Sequence, residues 1–215
     1  DRSTMNKFGG VAVIHADGVT STELVATGAK TEEDKPGVTH LVLELKDSVY
    51  PFFVTQHFRA VEASDVVETW AEIRHDESAP VKLMRMDSVA LVFPLLAKEY
   101  YLLSLTGQWA SEGQLAEAPV ALGQTVSMTS RSGVRSAFGD NPSFMLSVGE
   151  KATETAGRGI GAALAWSGAW NIAVQHDYVD ALAINLGPDT GNGAYTLDAG
   201  KKLTTPKTAL TYSAS

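Results

Sequence analysis

The chain has 215 residues, 44% of them hydrophobic and 20% charged, a composition that forms a folded core rather than a disordered coil. It contains no cysteine, which excludes a disulfide framework, cysteine-bound zinc and a cysteine nucleophile. Seventeen Lys and Arg against 25 Asp and Glu leave a net charge of −8, the wrong sign for a nucleic-acid surface.

Asp1 to Asn6 is polar, lacks a signal-peptide core and does not begin with Met, so the chain reads as a processed form or an excised fragment. No run approaches the ~20 apolar residues of a spanning helix, so no membrane partner is expected. Bacterial cytoplasm and periplasm both stay open. From there the dominant period is two. Thr31 to Gly37 reads as a charged loop. Val38 to Leu45 alternates, with Leu41, Leu43 and Leu45 on one face, and predicts a half-buried strand. Asp47-Ser48 supplies a turn. Val49 to Phe58 and Asp65 to Ile73 predict two more strands, rich in aromatic and β-branched residues. Val81 to Val92, Tyr100 to Thr106, Thr125 to Arg131 and Phe144 to Val148 follow. Ser111 to Ala118 is the best helix candidate, stopped by Pro119. Gly159 to Trp166 and Ala169 to Gln175 read as a hairpin turning at Ser167-Gly168. Val179 to Leu186, Tyr195 to Leu197, Lys202 to Thr204 and Thr208 to Tyr212 complete the set. Many short strands with no long helical period predict an antiparallel sandwich in a single domain, residues 1–215.

Motifs that carry chemistry are sparse. Gly157-Arg158-Gly159-Ile160-Gly161 has GxGxG spacing without a following helix, and reads as glycines that let strands twist or bulge. His15, His40, His57, His75 and His176 show no metal-ligand spacing on one element, so no metal is expected. His40 and His57 read as surface or cross-strand residues, and His75-Asp76-Glu77 as a polar loop. Asp189 to Gly193 has a glycine where a calcium loop needs its third-position oxygen ligand. Glu68 and Glu72 lie four residues apart on one strand face, too far to converge as a glycosidic acid/base pair. Trp70 and Trp166 are expected in the core, whereas Trp109, beyond a strand end, is a contact candidate.

Several segments then line up in order: His15-Ala16-Asp17-Gly18, Leu45 to Pro51, Asp65 to Ile73, Tyr100-Tyr101-Leu102 with Gly107-Gln108-Trp109, Ser130 to Arg135, Asn141 to Phe144, Leu164 to Gly168, Thr204-Thr205-Pro206 and Leu210 to Ser213. The series resembles the N-terminal domain of the α-galactosidases of glycoside hydrolase family 36, the melibiase type, over nearly the whole chain. The resemblance implies an all-β antiparallel β-supersandwich, galactose mutarotase-like in shape, with few short helices. In the family a (β/α)8 barrel follows and carries both catalytic aspartates of a retaining hydrolysis of terminal α-galactosides. No Asp or Glu of this chain inherits either role, and no cofactor is implied. The implied partners are that barrel, further copies in a homo-oligomer, and an α-galactoside held by the parent enzyme. Selectivity between α-galactoside and α-N-acetylgalactosaminide would lie in the barrel.

This chain departs from the family at Ser136 to Asp140, where a histidine-containing stretch is common, and before Phe8-Gly9-Gly10. Trp109, Arg135 and Asn141 are the candidates for an interdomain or intersubunit contact. A free-standing carbohydrate-binding β-sandwich is the alternative function, and predicts an exposed line of aromatics. A self-sufficient enzyme would need a pocket where acids or histidines converge.

Overall fold

The computed structural model describes residues 9–94, 96–133, 138–179 and 181–214. Among the described residues the architecture is all-β and antiparallel, with one short 3-10 turn at Glu62–Ser64. The described residues form seventeen strands, in chain order β1 (Val11–Ile14), β2 (Leu24–Lys35), β3 (Val38–Asp47), β4 (Phe52–Val61), β5 (Val66–His75), β6 (Val81–Met86), β7 (Val89–Phe93), β8 (Tyr100–Gln108), β9 (Ser111–Pro119), β10 (Thr125–Ser130), β11 (Gly139–Val148), β12 (Arg158–Leu164), β13 (Trp170–His176), β14 (Leu182–Pro188), β15 (Tyr195–Leu197), β16 (Lys202–Thr204) and β17 (Thr208–Ala214).

A ten-stranded sheet forms one layer, in the order β2-β3-β4-β5-β17-β12-β11-β8-β9, with β16 also on β5. A four-stranded sheet, β10-β13-β14-β7, and a three-stranded sheet, β1-β6-β15, lie against it. Alternation sets the inner faces. Leu102, Phe144, Leu146 and Ile160 of the large sheet meet Trp170, Ile172, Val174 and Ile184 in one core. Phe52, Val54 and Ile73 meet Val13, Val81 and Leu83 in a second. Burying a side chain of this kind contributes ~1.5–3 kcal/mol.

The two cores are tied by polar groups. The Gln56 side-chain amide lies 2.7–3.0 Å from Thr69 Oγ1 and from the carbonyls of Trp70 and Ser88. Asn185 Nδ2 donates to Asp87 Oδ2 at 2.9 Å, and a Cβ on Gly187 would come within 2.4 Å of Asp87 Cα. The three sheets therefore meet around Asp87 and Ser88, where only glycine fits.

That junction corrects the expected strand Val81 to Val92, which is two strands in different sheets. The expected hairpin at Ser167-Gly168 is a crossing between layers, with β12 in the large sheet and β13 in the four-stranded one. Ser111 to Ala118 is not helical but pairs as β9 with β8, which satisfies its backbone along the sheet edge. Thr31 to Lys35 belongs to β2 rather than to a loop, and its charges lie on a solvated strand. The turn to β3 is Pro36-Gly37, where Gly37 takes φ +76°, a value that favours glycine.

Tryptophan placement is the other correction. Trp166 lies beyond β12 and is 43% exposed, with its Nε1 donating to the Ala169 carbonyl at 3.1 Å. Trp70 is half-buried on the outer face of β5. The fully buried indole is Trp170, in β13.

Candidate functional site

The motif residues of the first third come together at one end of the three-stranded sheet. β1 ends at Ile14, and His15 accepts a turn closed by the Gly18 N–H on its carbonyl at 2.9 Å. Gly18 takes φ +89° there. The buried His15 ring bonds Glu77 Oε1 through Nδ1 at 2.8 Å and approaches Thr22 Oγ1 through Nε2 at 3.1 Å. Its face stacks on Tyr50, with centroids 3.7 Å apart and planes 10° from parallel. Tyr50 OH donates to Asp17 Oδ2 at 2.8 Å, which raises the phenol pKa and helps lower that of Asp17. Glu77 Oε2 also accepts the Ala16 N–H.

Asp47 does the same at the end of β3. Its carboxylate accepts the N–H groups of Val49, Tyr50 and Glu23 at 2.7–2.8 Å. Burial pushes its pKa up, but these bonds outweigh burial and hold it below the usual carboxylate value. His75 and Glu77, expected in a polar loop, are buried because their rings and carboxylate close this network: His75 Nε2 bonds the Leu197 carbonyl at 2.9 Å. The polar groups of His15, Asp17, Asp47, Tyr50 and Glu77 are engaged by backbone or by neighbouring side chains. That is the chemistry of a structural lock.

A second cluster lies on the outer face of the large sheet. His40 Nε2 and His57 Nδ1 are 3.0 Å apart, on β3 and β4. His57 stacks on Trp70 at 4.7 Å and 5°, and Lys207 covers Trp70 with its ammonium 5.0 Å from the ring. Burial lowers the His57 pKa, aided by His40 and Lys202 and opposed by Glu72. One ligand atom each from Glu32, Asp34 and His40 lies within 4.8 Å of the others, a spacing that could hold a cation. Lys30 pairs with Glu32, and Arg59 with Asp34 at 3.0 Å, so both carboxylates already have cationic partners. Glu68 is bonded by Lys207 and Arg59, each at 3.0 Å, and Glu72 by Lys202 at 2.9 Å. The two glutamates are thus a solvated, ion-paired strand face.

Sequence reasoning missed the joining of His40 to His57. They are 17 residues apart, and the register pairs Val42 with His57, so the contact is diagonal. The signal available was their position on the same face of neighbouring predicted strands. Of the contact candidates, Trp109 forms the β8–β9 turn with Ala110 and is 82% exposed. Asn141 sits in an irregular stretch of β11 and accepts from Ser143 Oγ at 2.8 Å. The pairing of Gly139 with Gly107 puts Asn141 and Trp109 at the same end of the sheet. Arg135 lies outside the described residues.

The glycosyl hydrolase family 36 N-terminal domain model matches residues 6–198. Alpha-galactosidase 2 of Pediococcus pentosaceus is 30% identical over 179 residues, covering 81% of this chain and 24% of that protein. Alpha-galactosidase AgaA of Geobacillus stearothermophilus is 24% identical over 173 residues, 80% of this chain and 23% of that protein. The chain thus spans about a quarter of the length of these relatives. Among solved structures, the galactosidase domain of the alpha-galactosidase-sucrose kinase AgaSK superposes with a TM-score of 0.88 at 23% identity, over 95% of this chain and 30% of that one. The Lactobacillus brevis alpha-galactosidase gives 0.86 at 23%, over 95% and 29%. These two likenesses establish the fold, and the match across most of the sequence establishes the family: the chain belongs to the N-terminal domain family of glycosyl hydrolase family 36.

Proposed function

We propose that residues 1–215 form the non-catalytic N-terminal domain of an α-galactosidase, supporting a (β/α)8 barrel that performs retaining hydrolysis of terminal α-galactosides and contributing to a homo-oligomer. One observation carries the reading. The family-motif residues His15, Asp17, Asp47 and Tyr50 are spent on one another, on Glu77 and on backbone N–H groups. A retaining hydrolase needs two carboxyl groups about 5 Å apart across a sugar-sized opening. Glu68 and Glu72, the pair weighed for that role, are held by Lys207, Arg59 and Lys202 instead. Trp109, Asn141 and Arg135 remain the proposed contact residues toward the barrel or a second subunit.

The test is an assay of residues 1–215 on an aryl α-galactoside, beside the longer gene product. The expected result is turnover by the longer protein and none by the shorter. Turnover by the 215-residue chain that survives repurification and vanishes on substitution of one of its own carboxylates would overturn the reading. Millimolar-or-better affinity of the isolated chain for galactosides, lost in Trp109→Ala, would favour a carbohydrate-binding module instead.

A further inference from the structure

The two layers of the sandwich do not match in extent. The four-stranded sheet ends at β7, whose far edge pairs with no described strand. Beyond that edge the inner face of the large sheet continues through β4, β5, β17 and β12. The result is a groove of about 900 Å³. Its walls are Phe58, Leu91, Phe93, Ile160, Leu210 and Tyr212, with Glu62, Asp65 and Arg158 also along the lining. A sugar site needs convergent polar groups beside its aromatic surface. This groove offers a mainly aliphatic and aromatic interior, the face of a core that lacks its second layer. Tyr212 is 55% exposed in it.

The chain itself leads into this groove. β17 forms one wall through Leu210, Thr211 and Tyr212 and stays paired with β12 as far as Ala214 opposite Arg158, a lining residue. Polypeptide that follows β17 therefore starts at the mouth of the groove. The aligned region makes up only 23–30% of the matched relatives' chains, and the family model that it matches is that of an N-terminal domain.

We propose that this groove is the seat of the polypeptide that follows residue 215, the segment joining this domain to the remainder of the enzyme. The inference rests on the domain reading above and adds where the rest of the protein docks. The occupant is an amphipathic segment of the same chain. Its apolar side lies on Phe58, Leu91 and Leu210, and its polar side faces the solvent between Asp65 and Arg158. Covering an apolar face of this kind is what stabilises one domain against another.

Hydrogen exchange of the 215-residue chain and of the longer gene product tests this, read at residues 89–93 and 208–214, with activity on an aryl α-galactoside measured alongside. The expected result is exchange at least tenfold slower in the longer protein at both segments. Tyr212→Glu, at a half-exposed position the fold tolerates, should abolish that slowing while leaving exchange in the 215-residue chain unchanged. An active longer protein with unchanged exchange at both segments overturns the docking site and leaves the domain reading intact. An inactive longer protein that still protects both segments overturns the enzyme reading and retains the docking site. Protection that appears in the 215-residue chain with rising concentration identifies a second copy as the occupant, and a gene that ends at residue 215 removes the proposed one. Either result overturns the proposal.

Discussion

His40 Nε2 and His57 Nδ1 lie 3.0 Å apart, joining β3 to β4 beneath the Glu32–Asp34 carboxylates and beside the ring of Trp70. One ring must donate and the other accept, so the contact survives only while at least one imidazole is neutral. Burial favours the neutral form of His57, and Lys202 works in the same direction against Glu72.

The pH dependence follows from that direction. His57 has its folded pKa below the ordinary 6.5. The unfolded chain therefore takes up its proton first as pH falls. The stabilisation is fully present above about pH 6.5 and is lost as pH drops through the lower folded value. A ring-proton titration by NMR should put the His57 midpoint under 6.5, and His57→Gln should shrink the loss of Tm between pH 7 and pH 5. A midpoint at or above 6.5 contradicts the assignment.

Asp87 has the opposite sign. It is buried, and burial raises its pKa to about 6 despite Arg85 at 2.6 Å and the Asn185 amide. Its neutral form is favoured in the fold, so stability is highest below the unfolded pKa near 4 and is lost as pH rises through 6. Two pKa units correspond to about 3 kcal/mol at most. Asp87→Asn should flatten the pH 4–6 part of the stability profile, measured by urea unfolding. An unchanged slope would show that Asp87 ionises freely.

Removing the Asp47 carboxylate strands the N–H groups of Val49 and Tyr50 at the β3–β4 turn and of Glu23 just before β2. Asp47→Ala should cost about 2–4 kcal/mol, since each bond is to a charged acceptor. Asp47→Asn should cost less, because the amide oxygen can still accept. Equal losses for the two variants would mean the cost lies in packing.

The indoles should separate cleanly. Trp170→Ala opens a cavity in the core and should cost about 3–5 kcal/mol. Trp166→Ala, at an exposed crossing, should cost under about 1 kcal/mol. Denaturant midpoints decide it, and a reversed order would move Trp166 into the core.

Ala110 occupies the β8–β9 turn at φ +62°, where a Cβ is unfavourable. Ala110→Gly should stabilise by up to about 1 kcal/mol, because relief of the strain exceeds the extra chain entropy. A lower Tm in the glycine variant would count against strain at this turn.

The alternation along Val38 to Leu45, Asp65 to Ile73 and Thr208 to Tyr212 was readable as strand, and the bounds of β15 and β16 matched to the residue. Period two is a local property, imposed by the pleat on each segment separately. The family motifs were equally legible, because residue types at fixed spacing survive in one dimension. Sheet membership was not. β6 and β7 read as one strand, and β12 and β13 as a hairpin, because alternation tells which residues face inward but not which layer the strand joins. Trp166 and Trp170 are four residues apart with similar neighbours, yet the crossing between layers exposes one and buries the other. The lock of His15, Tyr50 and Glu77 and the pairing of His40 with His57 likewise exist only after distant strands come into register. Those choices depend on non-local pairing and on which apolar faces can close against each other, and that is decided by the packed chain as a whole.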